Sequence, residues 1–148
     1  MAVDVSSEIV IRRPMEAVAA YAADPDRAPE WYVNIRSVDW LTEPPLRVGS
    51  RVAFVAHFLG RTLRYTYEIT HYEPAHRLVM RTTEGPFPME TIYSWSPEEE
   101  CATRMTLRNR GQPAGFARIL APFLALAMRR ANRHDLKRLR RILETRGV

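Results

Sequence analysis

Residues 116–128, FARILAPFLALAM, run directly into residues 129–146, RRANRHDLKRLRRILETR. In the first stretch Arg118 is the only charged side chain, so at 100° per residue no side of a helix built from it is polar enough to face plain water. The second stretch is two-faced. Met128, Ala131, Asp135, Leu139, Ile142 and Leu143 form one stripe, and Arg130, Arg133, His134, Lys137, Arg138, Arg140 and Arg141 take the remaining surface. The pattern predicts one long helix from Ala114 to Arg146, lying on a core along its second half and covered on more than one side along its first. The apolar half, with Pro122 inside it, is shorter than the ~20 residues that cross a bilayer.

Carrying the apolar stripe back along the helix puts Ala117, Ala121, Leu124 and Met128 on the core side and Phe116, Ile119, Phe123 and Leu126 opposite. Short side chains on the inner face leave room for a ligand between helix and sheet. The bulky outer side suits a second subunit or a lid, because a monomer rarely exposes such a patch. Alternatively, Pro122 kinks the helix and rotates the stripe, which makes the same residues ordinary core.

A chain of 148 residues that is 46% hydrophobic matches one compact domain, residues 1–148, able to bury about 70% of its unfolded surface without a disulfide or metal. The single Cys101 excludes an internal disulfide. The start MAVDVSSEI has neither a basic nor an apolar signal region, so a cytoplasmic location is the default expectation. Charge is uneven: the net +5 divides into +7 over residues 117–148 and −2 over the rest. A solvated helix with its positive charge toward the C-terminal end accounts for this. A weak contact with an anionic membrane is the further expectation, and nucleic acid is disfavoured.

Upstream, Val3–Ile11 has strand composition, Pro14 is placed to open a short helix, and Asp24-Pro25 caps a second short turn running toward Trp31. From Val33 the period becomes two. Strands are expected at Ile35–Leu41, Arg51–Phe58, Thr62–Tyr72, Arg77–Glu84, Met89–Ser96 and Cys101–Arg110, with a hairpin about Leu59-Gly60. The breaks at Glu73-Pro74, Gly85-Pro86 and Ser96-Pro97 are too short for crossover helices, so neighbouring strands run antiparallel. The expected fold is α+β: a seven-stranded antiparallel sheet curled around a long C-terminal helix, with two short helices between strands 1 and 2.

Four segments carry a family resemblance: RRPMEAVAAYAADPDRAPEW (12–31), VGSR (48–51), RYTYEITHYEPAHRLVMRT (64–82) and HDLKRLRRILE (134–144). Through them nearly the whole chain resembles the SRPBCC superfamily, also called START-like or Bet v1-like, and its polyketide cyclase/dehydrase branch. The resemblance implies a helix-grip fold with a cavity for lipids, polyketides or other apolar molecules. It reports fold and not chemistry, since carriers, quinone and sterol binders, cyclases and ribosome-associated toxins share it.

Strand alternation directs Leu63, Tyr65, Tyr67, Ile69 and His71 to one face, with Met89, Thr91, Tyr93 and Trp95, and Thr103, Met105 and Leu107, facing the same space. Because the strand ends two residues before Pro74, His71 is expected at a solvent-facing rim instead of acting as an acid or base in the cavity. Tyr65, Tyr67, Thr91 and Tyr93 are therefore the candidate ligand-binding residues on the sheet, with Ala117, Ala121, Leu124 and Met128 on the helix. Tyrosine hydroxyls in an apolar space need a partner, either the ligand or the protein itself. No spacing of His, Cys, Asp or Glu suggests a metal, and no nucleotide motif implies a cofactor. Cys101 follows Glu98-Glu99-Glu100, a setting that opposes a reactive thiolate. The leading expectation is binding of a hydrophobic small molecule by a carrier or sensor. The alternative is a cyclase or dehydratase in which Tyr65, Tyr67, Tyr93 or Arg81 assists proton transfer. The residues do not decide whether a reaction is catalysed.

Overall fold

Period-two sequence becomes a continuous antiparallel sheet in the computed structural model, which describes residues 3–58, 60–99, 101–113 and 121–146. In chain order the elements are β1 (Val3–Ile11), α1 (Met15–Ala22), a 3-10 turn (Pro25–Arg27), α2 (Ala28–Trp31), β2 (Ile35–Trp40), β3 (Arg51–Phe58), β4 (Arg61–Glu73), β5 (Arg77–Glu84), β6 (Met89–Pro97), β7 (Thr103–Gly111) and α3 (Ala121–Arg146). The seven strands are ordered β1-β7-β6-β5-β4-β3-β2. Strand β1 pairs antiparallel with β7, Val3 opposite Gly111 and Ile11 opposite Thr103. The first strand therefore closes onto the last, while β2 forms the other edge.

Local chemistry sets the boundaries. Pro14 stays extended and stands just before α1, one position earlier than the helix-opening role expected of it, and its carbonyl accepts from Ala17 and Val18 at 3.1 Å each. The Asp24 carboxylate accepts from the Asp26 N–H at 3.0 Å and starts the 3-10 turn. Gly49, at φ 94°, turns the chain into β3 and donates to the Ile69 carbonyl at 2.8 Å. That is a left-handed conformation in which a side chain would be strained. Gly60 closes the β3–β4 hairpin at φ 73°; Leu59 lies outside the described residues.

Two register shifts interrupt β4, between Thr66 and Tyr67 and between Ile69 and His71. A bulge adds a residue to one strand and changes which side chains face the core. Tyr67 and Ile69 are buried before the second shift, and Tyr72 packs on the core after it. His71, in step with the inner face by alternation but expected at the solvent-facing rim because its strand ends just before Pro74, is turned outward, its Nε2 3.2 Å from the exposed Glu73 carboxylate. A further shift lies in β2 between Ile35 and Ser37.

Helix α3 crosses the sheet and meets it through two buried clusters. Leu136, Leu139, Ile142 and Leu143 join Val18, Trp31, Ile69, Leu78, Met105 and Leu107 in the larger. Ala121 and Met128 join Val3, Val5 and Met89 in the smaller. On the outer side Phe123 is 72% and Leu126 63% exposed. Phe116, Ala117 and Ile119 lie outside the described residues. Among the described residues no helix is long and apolar enough to cross a membrane.

Ala121 is 1% exposed and sits against β1, so a larger side chain there has no space to enter. Ala121→Trp is expected to lower stability by about 1–3 kcal/mol through overpacking, read as a reduced midpoint in urea unfolding. An unchanged midpoint would show that this end of α3 is loosely seated.

Candidate functional site

Between the two clusters the side chains stop short of filling the interior. The resulting cavity measures about 140 Å³. Its sheet wall is made by Phe54, Ala56, Tyr65, Tyr67, Met80, Met89, Thr91, Tyr93 and Asn109, and Phe87 comes from the β5–β6 connection. Its helix wall is Leu124, Met128, Ala131, Asn132 and Asp135, and Tyr32, Asn34 and Ile35 border it from the segment after α2.

Of the residues expected to bind ligand, Tyr65, Tyr67, Thr91, Tyr93, Leu124 and Met128 are brought together around this space. Ala121 is not among them. Its inner face points at Val3 and Val5, because α3 packs along β1 at that end, so the alanine there permits close helix–strand approach and leaves no room for a ligand. Ala117 lies outside the described residues. Trp31 and Trp95 are buried packing residues, 0% and 4% exposed. Arg81 is exposed and paired with Glu90 at 3.2 Å, away from the cavity lining.

Two aromatic rings of the wall are seated by glycines. A Cβ on Gly85 would come within 2.8 Å of the Tyr65 ring, and one on Gly111 within 2.8 Å of the Phe87 ring. Close approach of rings to backbone holds both in place.

The polar groups are connected in sequence. Thr91 Oγ1 is 2.7 Å from Asn109 Oδ1 and 3.3 Å from the Tyr67 hydroxyl. A threonine has one proton to give, and the shorter contact takes it. The Tyr67 O–H is left to face Thr91 Oγ1 and the Met89 sulfur, the latter at 3.5 Å. Asn109 Nδ2 in turn donates to Asn132 Oδ1 at 3.3 Å. Asn132 Nδ2 ends the line, buried and without a partner among the described residues. A second pair joins the Tyr32 and Tyr93 hydroxyls at 2.6 Å. Tyr67 and Tyr93 thus have protein partners, contrary to the idea that their hydroxyls wait for a ligand. The half-buried Tyr65 hydroxyl has none among the described residues.

Burial sets the protonation states. It raises the Tyr32, Tyr67 and Tyr93 phenols far above their ordinary value, and Tyr65 less so, so none serves as a base near neutral pH. Asp135 is 2% exposed, and burial pushes its carboxyl up to about 7, opposed by the Val33 N–H, which donates to Oδ1 at 2.9 Å, and by Arg138.

Asn109 and Asn132 fall outside the expected set. Extending the β7 alternation Thr103, Met105, Leu107 by one step reaches Asn109, and Asn132 lies one helical turn from both Met128 and Asp135. Tyr32 and Asn34 carry no such periodic signal, being in the segment between α2 and β2.

A family model described as polyketide cyclase / dehydrase and lipid transport matches residues 2–144. No curated protein sequence matches the chain significantly. Among solved structures, TTHA0849 from Thermus thermophilus is similar at 21% identity and a TM-score of 0.84, over 98% of this chain and 99% of that one. The Zhui aromatase/cyclase from Streptomyces sp. R1128 is similar at 17% identity and 0.83, over 99% of each. A START superfamily protein from Mycobacterium smegmatis is similar at 15% and 0.73, over 97% of this chain and 96% of that one. At these identities the likeness is one of fold.

The Asp135 carboxyl gives a pH signature. Its folded pKa of about 7 lies above the ordinary 3.8, so between those values the unfolded chain is ionised and the folded chain protonated. Unfolding then releases a proton, and stability falls as pH rises from about 4 to about 7 before levelling off. Asp135→Asn keeps an acceptor for Val33 and removes the ionisation. Relative to the wild type, the variant should gain stability by up to about 4 kcal/mol between pH 4 and pH 8, at about 1.36 kcal/mol per pH unit, in parallel urea titrations. A pH-independent difference would mean that the carboxyl is ionised throughout.

Proposed function

Because the chain belongs to the polyketide cyclase / dehydrase and lipid transport family, matched over residues 2–144, we propose that it binds a small apolar molecule carrying at least one oxygen, as a carrier or sensor, in the cavity under α3. The observation that carries this reading is an interior space walled mainly by aromatic rings and methionines, with a few polar groups at defined places. Such a composition favours the burial of an apolar body and the orientation of its oxygens.

Size narrows the class. An apolar cavity of ~150 Å³ admits a benzene-sized molecule, and the cavity here is about 140 Å³. A single-ring ligand enters without rearrangement. A longer one requires the wall to move, and Met80, Met89 and Met128 are the side chains suited to that, being unbranched and adaptable. Tyr65 is the cavity phenol whose hydroxyl has no partner among the described residues and is therefore placed to meet a ligand oxygen.

A cyclase or dehydratase is the second reading. It is favoured by Asp135, a cavity-lining carboxyl that changes protonation near neutral pH and so has the affinity for a proton that acid–base work requires.

Two variants test the binding reading. Ala131→Trp projects an indole into the cavity from its helix wall and should abolish binding of an apolar fluorescent probe while the protein still unfolds cooperatively. Tyr65→Phe should leave stability within about 0.5 kcal/mol and weaken phenols and ketones about tenfold relative to matched hydrocarbons, the loss of one hydrogen bond. Native mass spectrometry of protein from its own host then identifies what travels with it. Probe affinity unchanged by a folded Ala131→Trp variant would refute the assignment of this cavity.

A further inference from the structure

Most cations on the sheet are neutralised where the structure shows them clustered. Arg64, Arg81, Arg104, Arg108 and Arg110 each reach a carboxylate at 3.7 Å or less. The outer face of α3 is different. Arg130, Arg133, Lys137, Arg140 and Arg141 are exposed, and none has a hydrogen bond or ion pair among the described residues. At 100° per residue they fall within an arc of about 100°. Phe123 and Leu126, 72% and 63% exposed, fall in the same arc at its N-terminal end. The acid on that side is Glu144, already accepting from the Arg12 N–H at 2.8 Å. Arg138, outside the arc, is engaged with the Glu30 carbonyl at 2.8 Å.

One face thus combines an apolar end with an uncompensated cationic stripe. We infer that this face docks on an anionic lipid bilayer, Phe123 and Leu126 entering the interface and the five cations meeting lipid phosphates. The combination decides the partner. Cations alone suit any polyanion, but an exposed leucine and phenylalanine beside them gain from an acyl boundary and not from a phosphate backbone. No aromatic residue is interleaved with the cations, as stacking on single-stranded nucleic acid would need. Leu124, between the two exposed residues in sequence, lines the cavity. Docking would therefore bring the membrane to the helix that forms one cavity wall. The inference does not depend on what the cavity holds.

The full chain is sedimented with vesicles of phosphatidylcholine alone and with about 30 mol% phosphatidylglycerol. Binding is expected only to the anionic vesicles, weakening as salt rises from about 0.05 to about 0.5 M. Arg133→Glu with Lys137→Glu should reduce it about tenfold or more. Phe123→Ser with Leu126→Ser should also reduce it about tenfold, with the salt dependence retained. Equal binding to neutral vesicles, or none to anionic ones at low salt, overturns the inference. So does tighter binding to single-stranded RNA that survives the Phe123 and Leu126 changes, and so does a drop in the sedimenting mass of the free protein on those changes, which would mean that a second copy covers the face. Apolar probe binding by the same variants without vesicles is expected to be unchanged, so failure of membrane docking and failure of the cavity assignment are read separately.

Discussion

Everything in this fold depends on the burial of Leu136, Leu139 and Leu143, each 1% exposed or less, in the concave face of the sheet. Each contributes about 1.5–3 kcal/mol by leaving water, and they lie within two turns of one another, so the C-terminal half of α3 is firmly seated. The other half is positioned by that anchor. It meets β1 again at Ala121, and between the two contacts the helix runs over a stretch where the sheet presents Tyr65, Tyr67 and Tyr93. The rings keep the helix and sheet apart, and the unfilled remainder is the cavity.

A cavity with polar walls has to satisfy its own hydrogen bonds when empty. The chain does this by connecting Tyr67, Thr91, Asn109 and Asn132, drawn from β4, β6, β7 and α3. Thr91 donates to Asn109 and Asn109 to Asn132, so the unsatisfied group of the line stands at its helix end, at Asn132 Nδ2. An unpaired buried amide proton costs about 1–3 kcal/mol. Pairing the wall's polar groups with one another keeps that cost to a single atom along this line.

The helix-grip architecture was legible because each of its parts is periodic. Strand composition and two-residue alternation located all seven strands to within two residues at either end, and the contrast between residues 116–128 and 129–146 located the long helix over Ala121–Arg146, its expected start at Ala114 lying outside the described residues. What lay outside that periodicity was also local. Strict alternation alone would carry His71 inward, and it is the nearness of Pro74 to the strand end, not composition, that marks it as a rim residue, since a bulge such as the one between Ile69 and His71 leaves no mark in composition. The alanine stripe fits both empty space and ordinary core, and at Ala121 the short side chain serves contact with β1. Size alone cannot separate those two uses of alanine, since the outcome depends on how close the facing backbone comes. Tyr32 and Asn34 join the site from a segment with no period, and long-range contacts fix where that segment lies: Asp135 with the Val33 N–H, the Tyr32 hydroxyl with that of Tyr93, and the His57 N–H with the Asn34 carbonyl.

The sheet does not close into a barrel, so it retains two free edges, and unpaired strand edges invite other chains to pair. Strand β2 is six residues long, is interrupted between Ile35 and Ser37, and carries Arg36 and Asp39. A short, irregular and charged edge is a poor template for an incoming strand. At the opposite edge β1 presents Asp4 and Glu8, already committed to Arg108 and Arg104. The protein can thus keep an open, curved sheet, the shape that grips a helix, while resisting the edge-to-edge growth that leads from open sheets to fibrils.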